Sequence, residues 1–318
     1  MNIPWEKLVE EMRGGSIRAL SKLISGVENR DQGWMEAMKL IFRETGKARM
    51  IGITGSPGAG KSTLTDQITC TLVEQGLTVG IIAIDPSSPF SGGALLGDRL
   101  RMKTVGNLDG VYVRSMATRG ALGGLSQATR DVAKILDAFG KDVILIETVG
   151  VGQDEIDVVK ATDLVVVICV PGQGDAVQAI KAGIMEIADI FVVNKADREG
   201  ADQVVMDIQG MLDISAESNS ESIPIFKTVA TSGEGIRNLA GAILDILQSR
   251  GGKNLRQEAY LKEEILVLME REIARIVRAK WRENGNFNAL VKDVLSRKRD
   301  PYSIVQKMTE PLKSQLKK

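Results

Sequence analysis

The sequence predicts an α/β fold with a mostly parallel central sheet, flanked by N-terminal helices and a C-terminal helical arm. Three observations predict it. Short, continuously apolar runs alternate with helical stretches through the middle of the chain. A glycine-rich segment joins the first of these runs to the helix after it. A long amphipathic pattern follows Gly252. Apolar runs without a polar alternation mean strands buried on both faces, and helices between such strands mean parallel pairing through crossovers.

Residues 1–46 read as a helical segment. Leu8, Met12, Ile17, Leu20, Leu23 and Ile24 recur at helical spacing. Gly14-Gly15-Ser16 ends one helix and caps the next, and a further helix runs from Trp34 to Phe42. No residue pattern here carries chemistry, so a packing role on the main domain is expected. Residues 47–249 form the nucleotide-domain candidate. Its strands are expected at Met50–Thr54, Val79–Ile84, Val111–Val113, Val143–Ile146, Leu164–Val170, Ile190–Val193 and Ile225–Val229. Residues 250–318 read as a helical arm. Leu261, Ile265, Leu268, Ile273, Ile276 and Val277 form its apolar stripe, Gly285 breaks it, and Asp300-Pro301 starts the last helix. Such an arm suits a homodimer surface or packing within the chain.

Composition removes several function classes. The 318 residues contain 41 basic and 41 acidic side chains and only 4% aromatics, which speaks against a dedicated nucleic-acid binder. Histidine is absent, so Ser-His, Cys-His and His-metal mechanisms are excluded within this chain. Cys70 and Cys169 are the only cysteines, too few for a disulfide framework or a thiolate zinc site. The acidic start lacks an apolar core of the secretory kind, and the longest apolar run falls far short of the roughly 20 residues that span a bilayer. A cytoplasmic protein without a membrane association is expected.

The strongest chemical signal is Gly55-Ser56-Pro57-Gly58-Ala59-Gly60-Lys61-Ser62-Thr63, a complete phosphate-binding loop between a strand and a helix. Its glycines let backbone N–H groups curl around phosphate oxygens, and the helix N-terminus adds positive potential. Lys61 should reach the β- and γ-phosphates, and the Ser62 hydroxyl should bind Mg²⁺. Asn194-Lys195-Ala196-Asp197 follows another strand; the Asp197 carboxylate can accept both N1–H and the amino hydrogens of guanine, a donor pair adenine lacks. Ala230-Thr231-Ser232-Gly233 ends the next strand and could cover the base.

Glu147-Thr148-Val149-Gly150 follows the strand Val143–Ile146. Its acid suits the Mg²⁺ shell, and Gly150 offers an N–H to the γ-phosphate. Gln153 could position the attacking water or be a solvated loop residue. Asp85 follows the second strand, and Asp98 closes the glycine- and proline-rich loop that it begins; both are in range of metal or water, or are ordinary loop acids. The stretch from Asp175 to Glu186, with Gln178 and Lys181, reads from periodicity as a surface helix.

Taken together, Gly55–Thr63, Asp85–Met102, Glu147–Glu155 and Pro171–Asp197 resemble the MeaB/ArgK family of P-loop GTPases, a SIMIBI-type fold shared with signal-recognition and nickel-insertion GTPases. The most specific matches are Asp-Pro-Ser-Ser-Pro-Phe-Ser-Gly-Gly-Ala-Leu-Leu-Gly-Asp-Arg and Glu-Thr-Val-Gly-Val-Gly-Gln, and the likeness spans nearly the whole chain. It implies a homodimeric chaperone that hydrolyses GTP to GDP. Its partner would be an adenosylcobalamin-dependent acyl-CoA mutase of the methylmalonyl-CoA type, whose cofactor loading it gates and which it protects. The resemblance places nucleotide and Mg²⁺ binding on Lys61, Ser62, Asp85, Asp98, Glu147, Asn194 and Asp197, and a partner-coupling switch on Gln178 and Lys181. Two positions depart from the family pattern. Asp154 stands where serine is common, and Ala121 where histidine or threonine often occurs; either could alter switch behaviour or partner choice. Rival readings are a kinase linked to amino-acid transport, which would need an acceptor site, and a nickel chaperone, which would need the missing histidines.

Overall fold

The computed structural model describes residues 4–85, 105–117, 124–148, 150, 162–172, 187–215, 223–250, 255–282 and 286–316. It divides the chain into two compact units, Met1–Arg256 and Gln257–Lys318.

The first unit is built on seven strands: β1 (Arg49–Gly55), β2 (Val79–Asp85), β3 (Val111–Ala117), β4 (Val143–Glu147), β5 (Leu164–Cys169), β6 (Ile190–Asn194) and β7 (Ile225–Thr228). They lie in the order β3-β2-β4-β1-β5-β6-β7, and every pairing between them is parallel. The continuous apolar runs have a direct cause in this arrangement. Successive side chains of a strand point to opposite faces, and here each face has its own core.

Ile51, Ile53, Val143, Leu145, Leu164, Val166, Ile190 and Val192 share one cluster with Leu64, Ile68 and Leu72 of α4 (Lys61–Glu74). Leu239, Ile243 and Leu247 of the helix Ile236–Ser249 complete it. On the other face, Ile82, Ile84, Ile144 and Ile146 pack with α1 (Trp5–Arg13), α2 (Ile17–Glu28) and α3 (Trp34–Ile41) and with α5 (Gly124–Ala138). Val165, Val167, Phe191 and Val193 meet Ile208 of α6 (Ala201–Ser215). The helix Ile236–Ser249 is α7. Each fully buried aliphatic side chain contributes about 1.5–3 kcal/mol to this scaffold.

The N-terminal helices therefore share the core of the sheet. Ser16 caps α2, its hydroxyl accepting the Ala19 N–H at 3.3 Å. Polar ties fix the same face: Arg30 donates to buried Asp131 of α5 at 2.6 Å and lies over the Trp34 ring. Arg114 of β3 pairs with Glu28 of α2.

The second unit holds most of α8 (Leu255–Arg282), with α9 (Asn286–Leu295) and α10 (Pro301–Leu316). Asp300 caps α10, accepting the Ser303 N–H at 2.8 Å ahead of Pro301 at the first helical position. Along α8, Leu261, Ile265, Met269, Ile273 and Ile276 recur about one turn apart and each stays about half exposed. No helix among the described residues is long and apolar enough to cross a membrane.

Candidate nucleotide site

Parallel strands carry their C-terminal ends to one edge, and β1 lies there between β4 and β5, where the chain changes direction across the sheet. Register sets the depth of each group. Gly55 pairs with Ile168, Ile53 with Glu147, Ala83 with Glu147, and Asn194 with Thr228. The loop after β1, the acid ending β4 and the amide ending β6 thus reach the same rim.

The loop's conformation demands its glycines. Gly55 has φ 148°, and a side-chain carbon there would lie 2.3 Å from the Ile168 carbonyl oxygen. Gly60 has φ 89°, and such a carbon would lie 2.5 Å from Asn194 Nδ2. Gly60 then opens α4, which brings helix N–H groups to the loop. The Lys61 side chain is buried, and its ammonium donates to Gly55 O at 2.8 Å and Ser56 O at 3.0 Å. Its charge is already out of water and held by exchangeable carbonyl partners.

The β6 end is tied onto the loop. Asn194 Nδ2 donates to Ala59 O at 2.8 Å, while its Oδ1 accepts from Thr228 Oγ1 at 3.2 Å and the Ala230 N–H at 3.1 Å. Lys195, at φ 57°, donates to Gly58 O at 2.7 Å. Asn194 thus spends three of its four hydrogen-bonding positions on these partners, and Asp197 stands exposed beyond it. Ala230 is buried and Thr231 exposed at the end of β7.

Ser62 Oγ donates to Glu147 Oε1 at 2.5 Å, joining the start of α4 to the end of β4. One turn along α4, Asp66 has a buried Oδ1 without a hydrogen-bond partner in the structure. Burial first, and Glu147 second, push the Asp66 carboxyl up to about 7. The Ser62 hydroxyl and the Glu147 carboxylate are hard oxygen donors of the kind that suit Mg²⁺. Asp85 closes β2, two positions beyond the residue paired with Glu147. Asp98, Gln153, Gln178 and Lys181 lie outside the described residues, as do the departing positions Asp154 and Ala121. The motif reading missed Asp66, although its spacing of four from Ser62 on a helix places both on one face.

Residues 20–282 match the family described as methylmalonyl-CoA mutase-associated GTPase MeaB. The chain belongs to this family. A protein of Pyrococcus horikoshii named as a GTPase is 47% identical over 315 residues, covering 97% of this chain and 98% of the relative. The GTPase ArgK of Escherichia coli is 37% identical over 202 residues, covering 62% of this chain and 61% of ArgK. Among solved structures, one titled LAO/AO transport system kinase superposes with TM-score 0.68 at 22% identity, covering 98% of this chain and 99% of that one; it shows the shared fold. As a MeaB-family GTPase, the chain has the P-loop architecture that its own loop geometry displays.

Proposed function

We propose that this MeaB-family protein binds GTP with Mg²⁺ at the sheet's C-terminal rim and hydrolyses it, and that the cycle serves an adenosylcobalamin-dependent acyl-CoA mutase of the methylmalonyl-CoA type. The observation that carries the nucleotide reading is the bonding of Asn194 and Lys195 onto the phosphate loop. It ties the Asn194–Asp197 segment to the glycine loop at one rim, as a site for guanine beside phosphate would require. The mutase reading rests on the family description.

In this reading the loop N–H groups and the α4 N-terminus hold the α- and β-phosphates. Lys61 exchanges Gly55 O and Ser56 O for β- and γ-phosphate oxygens, at little further cost in desolvation. Asp197 accepts from guanine N1–H and its amino group, with Ala230 and Thr231 beside the base. Gly150 N–H faces the γ-phosphate. Ser62, Glu147, Asp85 and Asp98 would hold Mg²⁺, which when bound neutralises charge on the β- and γ-oxygens. Water attacks the γ-phosphate in line, with Gln153 as its positioning group; the protein contributes placement and charge stabilisation. Gln178 and Lys181 pass the nucleotide state to the mutase. The half-exposed stripe of α8 supports a homodimer through the helical arm.

The test is GTP hydrolysis by the purified protein, alone and with such a mutase from the same source. A rise of at least tenfold is expected with the mutase. An unchanged rate, with GTP bound tightly, would remove the mutase from this reading and leave the nucleotide site standing.

A further inference from the structure

Two buried threonines join the phosphate loop to the Gly150 segment beneath the site. Thr54 directly precedes Gly55, and Thr148 directly follows Glu147; each is 1% exposed. Thr54 Oγ1 donates to Gly150 O at 2.9 Å. Thr148 Oγ1 lies 3.0 Å from Thr54 Oγ1 and 3.1 Å from the same carbonyl. A hydroxyl has one proton. The Thr54 proton therefore serves Gly150, and the Thr148 proton serves the Thr54 oxygen or the same carbonyl, with Ile53 O a more distant acceptor at 3.5 Å. The Thr148 backbone N–H donates to Ile53 O at 3.0 Å, which fixes this residue on β1. Gly150 is buried, and a side-chain carbon on it would lie 3.6 Å from Pro57 Cγ of the phosphate loop.

We propose that the Thr54–Thr148 hydroxyl pair holds Gly150 against the phosphate loop and so confers preference for guanosine triphosphate over diphosphate. This rests on the reading of the rim as a GTP site. The α- and β-phosphates are met by the loop, Lys61 and the α4 N-terminus, to none of which the two hydroxyls bond. In the GTP reading, Gly150 is the group that would meet the third phosphate. Without the hydroxyls the Gly150 carbonyl loses the two partners it has among the described residues and turns toward water, and the N–H of the same residue moves with it. Thr54 and Thr148 are positioning residues in this scheme, acting through Gly150.

The experiment compares Thr54→Val, Thr148→Val, their double variant and the two Thr→Ser variants. Valine keeps the shape and removes the hydroxyl; serine keeps the hydroxyl. Dissociation constants are measured for fluorescent GDP and for a non-hydrolysable GTP analogue, both with Mg²⁺. The analogue should weaken about threefold in each valine single and about tenfold in the double, with GDP within twofold of the parent and the serine variants near the parent. If the double fails to fold, the singles and the serine variants carry the same test. Equal weakening toward both nucleotides would make the pair a plain structural support, and unchanged affinity for the analogue would also overturn the proposal. A parent protein that binds neither nucleotide overturns the GTP reading beneath it, a result distinct from either outcome in the variants.

Discussion

Lys61→Ala is expected to weaken GTP binding at least 100-fold while leaving the fold intact. The Lys61 side chain is 7% exposed, and its ammonium rests on two loop carbonyls. The cost of taking this charge out of water is met in folding, so contact with phosphate oxygens comes close to its full strength in a site that excludes solvent. A 100-fold loss corresponds to about 2.7 kcal/mol, within the range of charge-assisted contacts to a phosphate. The loop N–H groups and the α4 N-terminus remain, which is why residual weak binding is expected. Titration with a fluorescent GTP analogue measures the loss, and a thermal melt of the unliganded protein checks the fold. Unchanged affinity would contradict the placement of phosphate on this loop.

Asp197→Asn is expected to exchange guanine for xanthine. Asp197 is exposed, and the neighbouring structural bonds belong to Asn194 and Lys195, so the substitution should leave the rim in place. A carboxylate accepts from guanine N1–H and from its amino group. A carboxamide can accept only one of these donors, and its NH₂ then faces the guanine amino group. Xanthine has a carbonyl oxygen there and still carries N1–H, so the carboxamide satisfies both. GTP affinity should fall about 100-fold and xanthosine triphosphate should gain by a similar factor, the scale on which unpaired polar groups discriminate. Competition binding with GTP, xanthosine triphosphate and ATP measures it. A retained preference for GTP would place the base elsewhere.

Much of the fold is legible because burial on both faces leaves a strong mark. Runs such as Val143–Ile146 and Leu164–Val170 have no polar residue to suggest an open face, and each proves to be a strand between two cores. The expected strand at Val111–Val113 extends to Ala117 in the structure. Arg114 looks like a strand end, but its guanidinium pairs with Glu28 of α2, a partner 86 residues away that no local pattern shows. The last N-terminal helix ends at Ile41 and continues as a single 3₁₀ turn, Phe42–Glu44.

The site divides the same way. The loop and the Asn194–Asp197 segment stand out because the proposed phosphate and guanine chemistry would need those residue types at those spacings. The bonds that assemble them do not. Asn194 reads as a nucleotide-binding residue, and no local pattern shows that its amide also bonds Ala59, Thr228 and Ala230. Thr54 and Thr148 are hydroxyls next to buried strand residues, where threonine is a common strand former and signals nothing. Asp66 passes for an ordinary polar residue of α4 until Glu147 is brought beside it by the β1–β4 register.

The central claim is that this rim hydrolyses GTP with Mg²⁺. The most direct measurement is steady-state phosphate release by the purified protein with GTP and with ATP, each with Mg²⁺ and with the metal chelated. Slow turnover of GTP that is lost on chelation is expected, with no turnover of ATP above background. Equal turnover of the two nucleotides, or tight GTP binding with no phosphate released in the presence of Mg²⁺, would contradict it.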